Sequence, residues 1–115
     1  MFITDTEQNL VFLNKACLNF IGSNEDTELL GKKCWDVFQA DICRTNCPIK
    51  ECLVTKKACN DRKAVVKDDR GNNLYISVNA SAIITEDGEV IGAMEVINDI
   101  SGEIKLQAKM SDEIA

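Results

Sequence analysis

The chain has 115 residues, 45% of them hydrophobic, which is the size and apolar content of one domain with its own core and leaves no room for a second. Against 19 Asp and Glu there are 13 Lys and Arg, a formal charge of −6 with no basic block, which excludes a phosphate-tracking surface and makes nucleic acid an unexpected partner. No apolar run approaches the roughly 20 residues that span a bilayer, and the start Met1-Phe2-Ile3-Thr4-Asp5 lacks the regions of an export signal. A cytoplasmic segment without membrane contact of its own is expected, either free or within a membrane-anchored receptor.

Six cysteines and no histidine are the compositional oddity. An even cysteine count suggests disulfides in a small secreted protein, but long apolar-patterned segments and the lack of an export signal favour reduced thiols, metal ligation or redox chemistry. Without histidine there are no His-based triads, His metal ligands or His-ligated haem.

Along the chain, Phe2-Ile3-Thr4 and Leu10-Val11-Phe12-Leu13 are β-prone runs around a polar turn, a hairpin. Asn14 is placed to cap a helix carrying Ala16, Cys17, Phe20 and Ile21, with Gly22 as its stop. Short helical turns follow at Thr27 to Leu30, closed by Gly31, and at Cys34 to Phe38. Pro48 opens a further helix running to about Lys56, with Cys47 at the N-cap. Three β-prone runs, Asn60 to Lys67, Leu74 to Thr85 and Glu89 to Asn98, are separated by Gly-bearing turns and read as an antiparallel meander. In the middle run Ile76, Val78, Ala80 and Ala82 alternate with Tyr75, Ser77, Asn79 and Ser81, so the first set faces a core. Tyr75 and Asn79 fall on the opposite face, open to solvent or to a dimer contact.

These elements predict an α+β fold: a five-stranded antiparallel sheet with short helices on one face and a C-terminal exit helix. In this order the sequence resembles the PAS domain family. The resemblance rests on the hairpin Asp5 to Asn14 leading into an Asn-initiated helix, on Glu28-Leu29-Leu30-Gly31-Lys32, on the turns Asp69-Arg70-Gly71 and Glu86-Asp87-Gly88, and on the closing Asp99-Ile100-Ser101. It implies a sensory domain over residues 1–101 followed by a linker or signalling helix over 102–115. It further implies a module of a chemoreceptor, histidine kinase or cyclic-dinucleotide enzyme that either holds a small ligand or cofactor between sheet and helices and relays a change to an output domain of the same polypeptide, as a homodimer, or serves only as a ligand-free dimerisation module. No catalysis is implied, and no nucleophile–base pair or phosphate loop is visible.

Cofactors are narrowed by residue type. A flavin photosensor of the LOV type requires Asn-Cys-Arg-Phe-Leu-Gln, of which Cys43-Arg44 is the only fragment, so flavin is disfavoured; haem is disfavoured by the absent histidine. Cys34, Cys43, Cys47 and Cys52 form C-x8-C-x3-C-x4-C, similar to a PAS variant with a Cys at a short helix and a Cys-x2/3-Cys-Pro loop. Three readings stand open: small apolar side chains packed against Trp35 and Phe38, a disulfide or thiol switch at the Cys43/Cys47 loop, and a four-thiolate zinc or iron–sulfur site at all four.

The expected ligand cavity is bounded by Trp35, Phe38, Leu53, Ile76, Val78, Ala80 and Ile97, with Trp35 read as a core residue at its edge. Glu95 joins it if Ala93 and Ile97 face inward; a shift of one residue would bring Met94 and Val96 inside instead and send Glu95 to solvent. Asp99, Ile100 and Ser101 are the expected relay. Beyond them a seven-residue stripe of Ile100, Ile104, Gln107, Ser111 and Ile114 holds three apolar residues, too few for a strong autonomous coiled coil.

Overall fold

Period-two alternation in three long runs and two short ones yields one antiparallel sheet. The computed structural model describes residues 1–22, 25, 27–43, 46–67 and 71–102. Its strands are β1 (Phe2–Thr4), β2 (Leu10–Leu13), β3 (Cys59–Lys67), β4 (Asn73–Ile84) and β5 (Val90–Asp99), in the spatial order β2-β1-β5-β4-β3 with every pair antiparallel. Between β2 and β3 lie α1 (Lys15–Ile21), α2 (Cys34–Phe38), a 3-10 turn at Asp41–Cys43 and α3 (Pro48–Thr55). The α+β fold is as the alternation predicts. Ser101 and Gly102 are helical, and the rest of the expected exit helix and its stripe, beyond Gly102, lie outside the described residues.

Two bulges reconcile strand period with burial. In β2 the pairing steps from Ile3↔Phe12 to Thr4↔Leu10, so Val11 is the extra residue and Leu10 and Leu13, three apart, both point inward. In β3 the step from Cys59↔Ala80 to Arg62↔Val78 leaves Asn60 and Asp61 facing one residue, and Asp61 takes φ +53 while its N–H donates to Asn79 Oδ1 at 2.9 Å. Cys59, Ala64 and Val66 are thereby all buried.

The helices start where capping chemistry allows. Asn14 Oδ1 accepts from the Cys17 N–H at 2.9 Å, and Gly22 closes α1 in the left-handed region at φ +85. Within α1 it is Cys17 that is buried, with Leu18, Phe20 and Ile21 half-buried and Ala16 exposed. Cys17, Phe20 and Ile21 thus lie inward as expected, with Leu18 joining them and Ala16 outside the buried face. Thr27 to Leu30 form turns and not a helix; the chain after them is held by Leu10, whose N–H donates to the Lys32 carbonyl and whose carbonyl accepts from Gly31, both at 2.8 Å. The Cys34 N–H then donates to the Gln8 carbonyl at 3.0 Å, which fixes the start of α2 against the first hairpin.

Two buried clusters result. One joins β1, β2, the helices and the central strands through Phe2, Leu10, Cys34, Phe38, Ile49 and Cys52; the other is Ala64, Val66, Ile76 and Val78 at the β3–β4 side. Phe20 and Ile97 pack against both. Phe2 stacks on Phe38 with ring centroids 4.5 Å apart, tying α2 to the sheet.

The central crossing of β1 on β5 depends on a missing side chain. A Cβ at Gly92 would meet the Thr4 carbonyl oxygen well inside van der Waals contact. Gly92→Ala is expected to destabilise the domain by about 1–3 kcal/mol, read as a lower urea midpoint. Gly102→Ala, where a Cβ meets nothing, is expected to stay within about 0.5 kcal/mol.

Candidate functional site: a thiol-walled cavity with a buried acid

At the seam between the two clusters is a cavity of about 30 Å³, room for roughly two water molecules. Its floor is the inward face of the sheet, Val66 of β3, Ile76 and Val78 of β4, and Glu95 and Ile97 of β5, with Phe2 of β1 at one side. Its roof is Cys34 and Phe38 of α2, Cys43 of the 3-10 turn, and Cys47, Pro48 and Ile49 at the start of α3.

Glu95 is its one charged-type side chain. β5 pairs with β1 through Phe2↔Glu95 and with β4 through Ala80↔Glu95, so both strand edges are occupied and the inward register is settled: Ala93 and Glu95 are buried while Val96 is 37% exposed. Among the described residues its carboxyl has no hydrogen-bond partner. Burial pushes its pKa from the ordinary 4.5 up to about 8, only partly offset by the Met1 amine. At neutral pH this acid is mostly protonated.

The cysteines divide. Cys34, Cys43 and Cys47 line the cavity, and the Gln8 side-chain amide reaches two of them, 3.6 Å from Cys34 Sγ and 3.6 Å from Cys47 Sγ. The two sulfurs therefore lie no more than twice that distance apart. Gln8 itself holds φ +67, in the left-handed region that non-glycine residues seldom take. Cys52, the fourth member of the expected set, is fully buried one turn beyond Ile49 on the inward face of α3, near Cys59 and outside the cavity lining. Helical geometry explains the split: Cys47 caps α3 and Cys52 sits five residues later in a helix whose inward face packs on the sheet. Among the described residues no group of three or more Cys, Asp or Glu has the arrangement of a metal site. Burial raises the Cys34 thiol to about 12 and Cys17 to about 11, and also raises Cys43, Cys52 and Cys59. Cys43, expected as half of an activated loop pair, is pushed the other way.

Other expected cavity residues are redistributed. Phe38, Ile76, Val78 and Ile97 are where the alternation puts them. Trp35 is 38% exposed and does not line the cavity, since Cys34 and Phe38 take the inward face of α2 at i and i+4 and Trp35 is turned off it, beneath Lys33 Nζ at 5.6 Å. Leu53 packs on the first cluster from the far end of α3, and Ala80 is buried opposite Cys59, both outside the cavity. Sequence reading missed Phe2, Phe20, Ile49 and Val66 as lining residues; the alternation of Phe2 with Thr4 carried the signal for the first. Nothing in the sequence marks Gln8.

The expected relay is tightly bonded to β4. The Ile100 N–H donates to the Tyr75 carbonyl at 2.8 Å, the Tyr75 N–H donates to Ser101 Oγ at 3.0 Å, and the Ser101 N–H donates to Asp99 Oδ1 at 2.9 Å.

A sequence profile of the PAS domain matches residues 1–102, and the chain belongs to the PAS domain family. Solved structures share its fold at low identity. They include the light-state dimer of the fungal blue-light photoreceptor Vivid (TM-score 0.68, 17% identity, 85% of this chain and 75% of that one). Vibrio cholerae VqmA in the absence of target DNA is similar at TM-score 0.71 and 11% identity over 89% of this chain, which spans about half (47%) of VqmA. The PAS domain of a Colwellia psychrerythraea protein is similar at TM-score 0.71 and 14% identity, with 88% of this chain and 85% of that one covered. No match is found among curated proteins.

Two outcomes follow from the site. Glu95 binds its proton more tightly folded than unfolded, so its contribution is fully present below about pH 4.5 and is lost as pH rises through about 8. Relative to Glu95→Gln, the native protein should lose on the order of a few kcal/mol of unfolding free energy between pH 5 and pH 9, measured by urea titration; parallel pH profiles for the two proteins would place the carboxyl in solvent. In the folded protein a maleimide should modify half-buried Cys43 and Cys47 before Cys17 and Cys52, which are 4% and 0% exposed; peptide mapping that finds Cys17 first would contradict this packing.

Proposed function

We propose that this PAS domain is a non-catalytic input module in which a small molecule in the cavity biases the sheet and, through Asp99, Ile100 and Ser101, the chain that follows. One observation carries the reading. Ile76 and Val78, which floor the cavity, are the register partners of Asp99 and Ile97, and Tyr75, next to Ile76, holds Ile100 and Ser101. An occupant that moves β4 has no slack through which to avoid moving the exit. A relay also requires two states of the sheet with different affinity for the occupant. VqmA, similar in fold, has been solved bound to DPO, which supports a small-molecule occupant here.

An output region of the same polypeptide, as in a receptor, kinase or cyclic-dinucleotide enzyme, and pairing of two copies complete the proposal. Pairing is supported by Phe12, Tyr75 and Val96, exposed on the strands, and by the dimers of Vivid and VqmA. A flavin like that of LOV domains does not suit a cavity of about 30 Å³ without displacement of its walls.

A second reading is favoured by the Gln8 amide between Cys34 and Cys47. In it the two thiols give two protons and two electrons to a disulfide oxidant and become a disulfide joining α2 to the start of α3. Oxidised glutathione should then yield an intramolecular Cys34–Cys47 link on peptide mapping, and mixed disulfides alone would remove this reading.

The relay is tested by Val78→Ile, which adds one methylene toward the cavity. Hydrogen exchange at the Ile100 amide should slow about threefold or more, while the Leu18 amide, bonded to the Asn14 carbonyl in α1, holds its rate. Unchanged exchange at Ile100 alongside a shifted melting temperature would uncouple cavity from exit.

A further inference from the structure

The cavity presents hydrogen-bond donors and nothing charged to receive them. Glu95 reaches it from the middle of the sheet without a partner, and the other polar groups on its wall are the thiols of Cys34, Cys43 and Cys47. Thiols are weak donors, and a protonated carboxyl is a strong one. No Lys or Arg lines the cavity among the described residues, and the Met1 amine near Glu95 stands outside the lining, donating to Asn14 Oδ1 at 2.9 Å, so an anionic ligand would meet no cation in the cavity wall. A cationic ligand would require Glu95 to ionise in a largely apolar cavity, where desolvation of both ions offsets the attraction. A carboxyl that faces a cavity finds its acceptor in whatever fills it, so a carbonyl-type acceptor on a ligand can take the place of water there.

We infer that the cavity takes a small uncharged molecule offering a carbonyl-type hydrogen-bond acceptor, with the Glu95 carboxyl as the donor that recognises it. This deepens the sensory reading of the same cavity and rests on it. At about 30 Å³ the resting cavity admits only a few heavy atoms, and its lining of Phe2, Phe38, Val78 and Ile97 suits an apolar body around the acceptor.

The inference makes binding depend on pH with one sign. The titratable groups around Glu95 are the Met1 amine just before β1 and the thiols of Cys17, Cys34, Cys43 and Cys59, with Cys47 beside them in the cavity wall. Of these, Glu95 is the acid whose proton the ligand uses, and it is lost as pH passes about 8. Acceptor binding therefore weakens on the alkaline side.

The test uses three four-heavy-atom probes of nearly equal shape: acetone, acetate and isopropylammonium. Each is titrated into the full chain while the methyl resonances of Ile76, Val78, Ile97 and Ile100 are followed by NMR at pH 6.5 and pH 9.5. Acetone should bind at pH 6.5 and weaken about tenfold or more at pH 9.5, with the two ions shifting nothing. Glu95→Gln, which keeps an N–H donor, should bind acetone at both pH values within about twofold; Glu95→Met should lose it. No acetone binding to the native chain, tighter binding of isopropylammonium, or unchanged binding by Glu95→Met overturns the inference. Acetone shifts at Val78 with none at Ile100 would leave the inference standing and remove the relay proposed above.

Discussion

The structure depends on β5 being bonded along both edges. A strand between two antiparallel neighbours cannot slip by one residue without breaking two ladders and reversing every side chain. Phe2↔Glu95 on one side and Ala80↔Glu95 on the other therefore hold the carboxyl inside the fold at whatever electrostatic cost. The close approach that makes the first pairing possible is provided by Gly92, where any Cβ would collide with the Thr4 carbonyl. The raised pKa, the cavity at the carboxyl and the donor character of that cavity all descend from this register.

The cysteines are governed by a different constraint, the shortness of the helices. α2 has five residues and α3 eight, so each can turn about one stripe toward the sheet, and cysteine is small enough to fill that stripe without displacing Phe38 or Ile49. Cys34 and Cys47 meet at the cavity because both stand at helix starts that face it, and Gln8 bridges them because the first hairpin is bonded to the start of α2. Sequence proximity grouped Cys52 with them; five residues of helix separate it in space. The same geometry explains why Cys34 and Cys43 keep their protons, since their sulfurs look into an apolar enclosure and not at a cation.

What was legible in the sequence was what local periodicity encodes. Alternation at Ile76, Val78 and Ala80, the Asn14 cap and the Pro48 start each act within a few residues, and each stands as read. The register of β5 was not decidable locally, because Ala93-Met94-Glu95-Val96-Ile97 offers an apolar set on either face, and only pairing with β1, ninety residues away in the chain, resolves it. Trp35 misled for a related reason: in a five-residue helix aromatic size suggests burial, but the inward positions were already taken by Cys34 and Phe38. Gln8 was invisible because its role depends on a left-handed backbone and on two sulfurs distant in sequence.

Placing the cavity at the seam between two clusters has a mechanical consequence. A void inside one well-packed cluster would be walled by side chains that lock one another, and an occupant could only strain them. Here Phe20 and Ile97 touch both clusters, and the cavity separates the β3–β4 packing from that of the helices and β1. The clusters meet along β3 and β4, which carry Cys59 and Ala80 of one and Val66 and Val78 of the other, so under the proposed reading an occupant would press on both clusters at the strands they share. Ile97 precedes Asp99 by two residues on the same strand, and the residues after Asp99 are hydrogen-bonded to Tyr75, so the cavity floor and the strand end belong to one continuous ladder, which is the geometry that the proposed relay requires.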